Sequence, residues 1–373
     1  MNLLINFGPL KIGGGQNVAL NFIHALKIKG NTNFNIFFVV CESSLLLEVL
    51  LDSEWRNNLV VVSSNPVLRI LQEMTIVNKF ITNKNISLVY TYFGYGFFRN
   101  DVKQVIGSAD SNLYFPEIDF WHSESFFGRI KRFLVDKYRV YGLQKSTGVV
   151  FENKAMFERS SYLFNIKSKC LILPSIALPE INRELNLVFK PDTLKILLLC
   201  GWQRNKNILL IPELAFKLHQ LNLKFEFIIT VKQDDSSCSK EFFQLVDKYD
   251  VKDFINCIGP VSKANLPSLY NNIDQVILLS LLESFSNNII EAWFFKRPLI
   301  ISDELWSRSI CGDAAFYVPR NDTDVIATTI INLYKCKFTV SHLIDNGLEE
   351  LTKYPDINER VDLELNYLES FYD

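Results

Sequence analysis

A two-domain α/β protein, each domain built on a doubly wound parallel sheet, is the fold class this sequence predicts, and three observations predict it. Apolar runs of strand length alternate with amphipathic runs of helix length along most of the chain, the order that parallel sheets with crossover helices require. The alternation breaks once, between Leu171 and Pro191, where three prolines stand in a stretch without a clear period, and then restarts. At 373 residues the chain is too long for one ordinary core; it fits two domains of about 150 to 200 residues each.

The elements follow in order. LLINF (Leu3 to Phe7) opens the first sheet, and QNVALNFIHALKIKG (Gln16 to Gly30) is a helix whose closing glycine suits a left-handed cap. Strands are then expected at Asn35 to Cys41, Leu59 to Ser63, Leu88 to Phe93, Lys103 to Ala109 and Thr147 to Glu152, with helix-length segments between most of them. LKILLLCG (Leu194 to Gly201) restarts the pattern with a strand expected to be as buried as the first, followed by Phe225 to Val231, Ile255 to Val261, Gln275 to Ser280, Pro298 to Asp303 and Ala314 to Val318. The expected division is a first domain over 1–175, a linker over 176–190, a second domain over 191–355 and an amphipathic, acidic closing helix over 356–373. In such pairs ligands bind in a cleft between domains, at the carboxyl ends of the strands.

Composition excludes several classes. With 48% hydrophobic and 21% charged residues the chain belongs among folded globular proteins rather than disordered ones. A net charge of −2 gives no reason to expect nucleic acid as a partner. One segment is locally basic, GRIKRFLVDKYR (Gly128 to Arg139), and reads either as a solvated helix face or as a contact for anionic lipid or an anionic acceptor. Seven dispersed cysteines without a CxxC pair fit free thiols in a reducing compartment. The N-terminus lacks a basic n-region and a small-residue cleavage site, and no window approaches eighteen uninterrupted apolar residues, so the expected location is cytoplasmic.

Chemistry is expected where strands pass through loops into helices, and three such joints stand out. The first, FGPLKIGGGQNVALNF (Phe7 to Phe22), carries Gly13, Gly14 and Gly15 before a helix, a place where backbone amides can approach an anion; it is neither GxGxxG nor a Walker loop, and a plain turn explains it as well. The second, LLLCGWQRNKNILL (Leu197 to Leu210), sets Arg204 and Lys206 at a strand's carboxyl end, two cations suited to a diphosphate. The third, LLESFSNNIIEAW (Leu281 to Trp293), places Glu283 in a loop and Glu291 inside the helix that follows, with Ser286 or Asn287 as N-cap. A gap of more than a helical turn argues against a glycosidase-like acid pair acting on one bond. It fits two acids that read different hydroxyls of one elongated ligand, with phosphate at the helix N-terminus between them.

These residues resemble a known family. Two glutamates separated by seven residues, together with S-x-x-E-S-F at Ser280 to Phe285, EAWFFKRPLIISD from Glu291 and CGDAAFYVPRNDTDVIA from Cys311, are similar to the donor-binding domain of the glycosyl transferases group 1, which are retaining GT-B enzymes. The resemblance runs over about residues 194 to 335. It implies the GT-B fold, two Rossmann-like domains facing a central cleft, and a nucleotide-sugar donor with a glycan or lipid-linked acceptor. It further implies that Glu291 binds the ribose hydroxyls and that Glu283 stands beside the transferred sugar. Ser284, Phe285 and Ser286 would hold sugar and phosphate oxygens, Arg204 and Lys206 would neutralise the diphosphate, and no metal or other cofactor is needed. Gly14 and Gly15 match the family's glycine loop, and Gly201 the glycine of its first C-domain strand. The closing helix often crosses back to the first domain in GT-B proteins, and the same is expected here.

The sequence departs from the family pattern twice. Trp202, rather than arginine, follows Gly201, and Ala109 and Asp110 stand where many members carry a histidine; Asp110 and His122 are both candidates for that role. Those departures keep a second reading in view, a GT-B-shaped binding or scaffold subunit without turnover, and a sugar-nucleotide epimerase is a third. Asp322-Thr323-Asp324 has the spacing of a metal-binding DxD, but it stands directly before a helical run and reads as an N-cap. His24 and His219 fall within amphipathic helices and read as packing or surface residues, and His342, in a polar tail, carries no signal. The whole suggests a bacterial enzyme of surface polysaccharide synthesis, with peripheral contact to the inner membrane as a further expectation.

Overall fold

Strands buried on both faces are written as near-continuous apolar runs, because helices cover each side of a parallel sheet. In the computed structural model the inner strands follow this rule. The structure describes all residues except 12, 31, 98, 100, 120–124, 175, 177–188, 191 and 373. The linker expected at 176–190 therefore lies almost wholly outside the described residues. The chain divides into two compact units, one comprising Met1–Pro116, Trp121–Ala177 and Pro355–Asp373, the other Glu117–Phe120 and Leu178–Tyr354.

The first unit runs β1 (Asn2–Phe7), α1 (Gly14–Lys29), β2 (Asn35–Cys41), α2 (Leu45–Leu51), β3 (Leu59–Val62), α3 (Pro66–Gln72), α4 (Asn78–Asn83), β4 (Leu88–Thr91), β5 (Lys103–Ser108), α5 (Phe126–Lys145), β6 (Gly148–Phe151), α6 (Lys154–Phe164) and β7 (Lys169–Ile172). Its strands form one parallel sheet in the order β3-β2-β1-β4-β5-β6-β7. Helix α1 begins after Gly13, whose φ of 86° suits glycine, and ends at Gly30, also at positive φ. A π-helical turn, Glu73–Val77, joins α3 to α4.

β7 corrects the sequence reading, which began its structureless stretch at Leu171. The strand, KCLI, is only four residues long, sits at the sheet edge with no buried residue, and runs straight into the proline-bearing stretch, so its short apolar run does not stand out as the inner strands do.

The second unit restarts with β8 (Leu194–Leu198), α7 (Ile211–Gln220), β9 (Phe225–Ile229), α8 (Ser237–Tyr249), β10 (Ile255–Cys257), α9 (Leu266–Asn271), β11 (Gln275–Leu278), α10 (Asn287–Phe294), β12 (Leu299–Ser302), α11 (Leu305–Cys311), β13 (Phe316–Val318), α12 (Thr323–Lys335) and α13 (Lys337–Leu351). Its parallel sheet has the order β10-β9-β8-β11-β12-β13. Strand order reverses between β8 and β11, which are hydrogen-bonded neighbours with Val276 opposite Leu197. The loops leaving their carboxyl ends diverge to opposite faces and open a crevice there. A core of Ile196, Leu198, Phe227, Ile229, Ile277 and their neighbours fixes both strands beneath it.

A final helix, α14 (Ile357–Glu369), belongs to the first unit and packs on α1. Asp356 and Glu359 close a capping box at its start. Tyr90 donates to Glu364 at 2.8 Å, and Tyr367 donates to the Lys169 carbonyl at 2.6 Å. Gly148 permits this docking, since a Cβ there would run into the Phe371 ring and the Tyr367 hydroxyl.

Candidate active site

The crevice between β8 and β11 gathers the second and third joints. After β8 the chain passes Gly201 and Trp202 and makes a 3-10 turn, Arg204–Lys206, that ends at Asn207 in the left-handed region (φ 55°, ψ 28°). After β11 the loop 279–286 leads to Ser286, the N-cap residue of α10 in extended conformation. Backbone and side-chain bonds tie the two loops together. The Leu281 amide donates to the Asn205 carbonyl at 2.7 Å, and Asn205 Nδ2 donates to the Leu282 carbonyl at 3.2 Å. Asn288 Nδ2 reaches the Leu199 carbonyl at 2.6 Å, fixing the first turn of α10 against the end of β8.

On that frame Lys206 Nζ donates to Glu283 Oε1 at 2.5 Å. The pair is a charge-assisted bond in a largely sheltered place, stronger than a surface ion pair. Glu291 lies on the inner side of α10, 7% exposed, and accepts from the Tyr270 hydroxyl of α9 at 2.9 Å. Burial pushes its carboxyl up to about 7, with the Tyr270 hydrogen bond and Lys263 acting the other way. Tyr270 itself is fully buried and stacks on Phe295 at 4.8 Å. The two glutamates thus have separate partners and separate environments.

Arg204 takes another direction and pairs with Glu241 of α8 at 2.9 Å. Trp202, where the family pattern has arginine, is a packing residue: its indole donates to the Lys232 carbonyl at 2.9 Å and its ring meets Phe242 and Phe243. Gly201 does not need a positive φ, and a Cβ there would meet only the flexible Gln203 side chain. Phe285 leans on Tyr354 at 5.9 Å, and Ser286 is buried at the head of α10 without a side-chain cap bond. Ser284 is half-buried beside Glu283.

In the first unit Gly14 and Gly15 form the first turn of α1, with open space at Gly14 and Leu10 and Phe93 close to Gly15. Asp110, just beyond β5, is held by Arg139 of α5 at 3.0 Å, and its carboxyl is raised by burial. His122 lies outside the described residues. Asp322 caps α12 by accepting from the Val325 amide at 3.0 Å, and Asp324 pairs with Lys217. The DxD spacing is therefore spent on the helix start. Among the described residues no group of three His, Cys, Asp or Glu could hold a metal ion.

Sequence reasoning missed Tyr270, Asn205, Asn288 and Glu241. No motif marks them; they enter the site through α9, the 3-10 turn, α10 and α8, whose positions only the sheet order reveals.

Residues 187–350 match the family model described as glycosyl transferases group 1. No curated protein sequence matches the chain. Solved structures agree on the fold. Sucrose-phosphate synthase from Thermosynechococcus elongatus aligns with a TM-score of 0.75 at 13% identity, covering 100% of this chain and 99% of that one. A glycosyltransferase from Rickettsia africae gives 0.71 at 14% identity, covering 100% and 98%. The Anabaena protein HepE, solved in complex with UDP and glucose, gives 0.66 at 13% identity, covering 99% and 100%. The fold is GT-B, with Rossmann-like sheets of seven and six strands.

Proposed function

We propose, from the match of residues 187–350 to the glycosyl transferases group 1 model, that the protein is a retaining glycosyltransferase. It moves a sugar from a nucleotide-sugar donor to a glycan or lipid-linked acceptor. The observation that carries the reading is the meeting of Lys206 and Glu283 at the β8/β11 switch point, on the same crevice as Glu291. Glu291, drawn toward its neutral form by burial, becomes an anion that accepts the two ribose hydroxyls of the nucleotide. Glu283 reads a hydroxyl of the transferred sugar.

Lys206 lies between the two tasks. With the diphosphate present it has two anions to serve, and charge growing on the leaving phosphate draws it further from Glu283 in the transition state. Arg204 joins by leaving Glu241, a half-exposed partner worth about 0–1 kcal/mol. These cations supply the neutralisation, so the mechanism assigned here uses no metal. The leaving phosphate takes the acceptor proton on the same face of the sugar, which retains the anomeric configuration. Asp110 or His122 would complete the acceptor side, and Gly14 and Gly15 would bring amides toward phosphate.

The donor is tested by thermal shift with UDP-, GDP- and ADP-sugars, UDP-glucose first because the Anabaena neighbour has been solved with it. Stabilisation of the parent and its loss in Glu291→Ala supports the site; no stabilisation by any of them overturns it. Seven free cysteines suit a cytoplasmic enzyme. A mass change in an extracted acceptor identifies transfer, and a change in the donor alone would mark an epimerase. Asn-, Lys-, Ile- and Phe-rich composition suggests a bacterial source and a role in surface polysaccharide.

A further inference from the structure

Helix α5 is built inside out. The side that faces its own unit carries Arg139, bonded to Asp110 and Asp136, and Tyr138, whose ring lies tilted against Tyr95 at 4.5 Å; Leu143 is the helix's one buried residue among those described. The apolar residues point the other way: Phe126 is 73% exposed, Phe127 80%, Phe133 60% and Leu134 61%. At 3.6 residues per turn these side chains, with Ile130, fall on one stripe. A second helix of the same unit is apolar on its outside too: α3 exposes Val67, Leu68 and Leu71. Arg69 of α3 bonds the Tyr95 hydroxyl at 2.6 Å, so α3 and α5 brace the same loop. Both helices start from the carboxyl ends of strands, which puts their apolar stripes at one end of the sheet.

We propose that this α3–α5 face docks the first unit on an anionic phospholipid bilayer. Charge decides the occupant. Over Phe126–Lys145 the helix has six Lys or Arg against one Asp, in a chain whose net charge is −2. That Asp is occupied by Arg139, and the one carboxylate of 66–77, Glu73, is buried. A second copy of this chain would bring the same positive surplus against itself. A bilayer with acidic headgroups accepts both features: aromatic and leucine side chains enter the acyl boundary while lysines stay at the phosphates. Lys137 lies within the stripe, its Nζ 5.4 Å from the Phe133 ring centre, and Lys131 borders it. No helix among the described residues is long and apolar enough to cross a membrane, so the contact is with the surface.

The inference does not depend on the catalytic reading, because its test reads binding and not turnover. The full chain is sedimented with vesicles of phosphatidylglycerol or of phosphatidylcholine. Expected is co-sedimentation with the first, weakened by about 0.5 M salt, whose Debye length is shorter than that of physiological buffer. Lys131→Glu with Lys137→Glu should lower the partition by at least about fivefold per site. Phe126→Ser with Phe127→Ser should lower it by roughly tenfold or more, with the thermal midpoint unchanged because both rings are exposed. Equal binding to the two lipids, no binding, or full binding by the Phe double variant overturns the proposal. A dimer in solution that dissociates in the Phe double variant also overturns it, by showing a second copy on the face.

Discussion

Lys206 and Glu283, 77 residues apart in the chain, meet at 2.5 Å with side chains only 20% and 10% exposed. Each holds the other's charge in a place that water reaches poorly, so removing either leaves its partner uncompensated. Lys206→Met is expected to lower stability by about 1.5–3 kcal/mol, the value of a charge-assisted hydrogen bond, and to abolish stabilisation by nucleotide sugars. Chemical denaturation with and without donor measures both effects.

Glu283→Gln keeps the shape and removes the charge. Turnover should fall by about 10²-fold, the scale for one preorganised electrostatic contact, while the donor KM stays within a few-fold. Steady-state kinetics checks this, and an equal rise in KM with turnover intact would assign Glu283 to binding alone.

Glu291 makes stability depend on pH. Its carboxyl stands at about 7 in the folded chain against an ordinary 4.5, so between those values the folded state binds the extra proton. Stability is therefore greatest below the ordinary value and declines as pH rises through about 7, by on the order of 3 kcal/mol. Glu73 is pushed up to about 7 as well, so the comparison is parent against Glu291→Gln: urea midpoints from pH 5 to 8 should fall more steeply in the parent. On the proposed role of Glu291 in binding ribose hydroxyls, which favour the anion, nucleotide affinity should have the opposite slope, rising with pH in the parent and staying flat in the variant.

Tyr270→Phe removes the hydroxyl that Glu291 accepts from. The carboxyl then rises further, and the pH midpoint of nucleotide binding should move up with it. Calorimetric titration over pH detects the shift; an unchanged midpoint would separate Tyr270 from the proposed nucleotide site.

Gly148→Ala puts a methyl group into the Phe371 ring and the Tyr367 hydroxyl. Overpacking of this kind costs about 1–3 kcal/mol, and the strain falls on α14. Hydrogen exchange should show α14 amides losing protection while the second unit is unaffected.

Much of this was legible in the sequence, for identifiable reasons. Inner strands such as LKILL and FEFII advertise themselves because both faces are buried, whereas KCLI at the edge does not. Glu283 and Glu291 drew attention because a single motif holds both, and the loop carries the first while α10 carries the second, as the sequence predicts. The partner of each was invisible: Lys206 reaches Glu283 only because β8 and β11 are neighbours, and Tyr270 reaches Glu291 from a short helix without any motif. The sequence shows Trp202 where the family pattern has arginine, but that Trp202 serves the packing of α8 is a fact of three dimensions.

The position of α14 sets an order of events during synthesis. Its residues complete the core around Tyr90 and Tyr92, and Tyr372 donates to the carbonyl of Asn2 at 2.9 Å, so the start of the chain waits for residues near 372. The whole of 178–354 leaves the ribosome before them. The second unit can therefore close while the first still lacks a wall, and chaperones meeting the nascent chain would find their exposed apolar surface on the part made earliest.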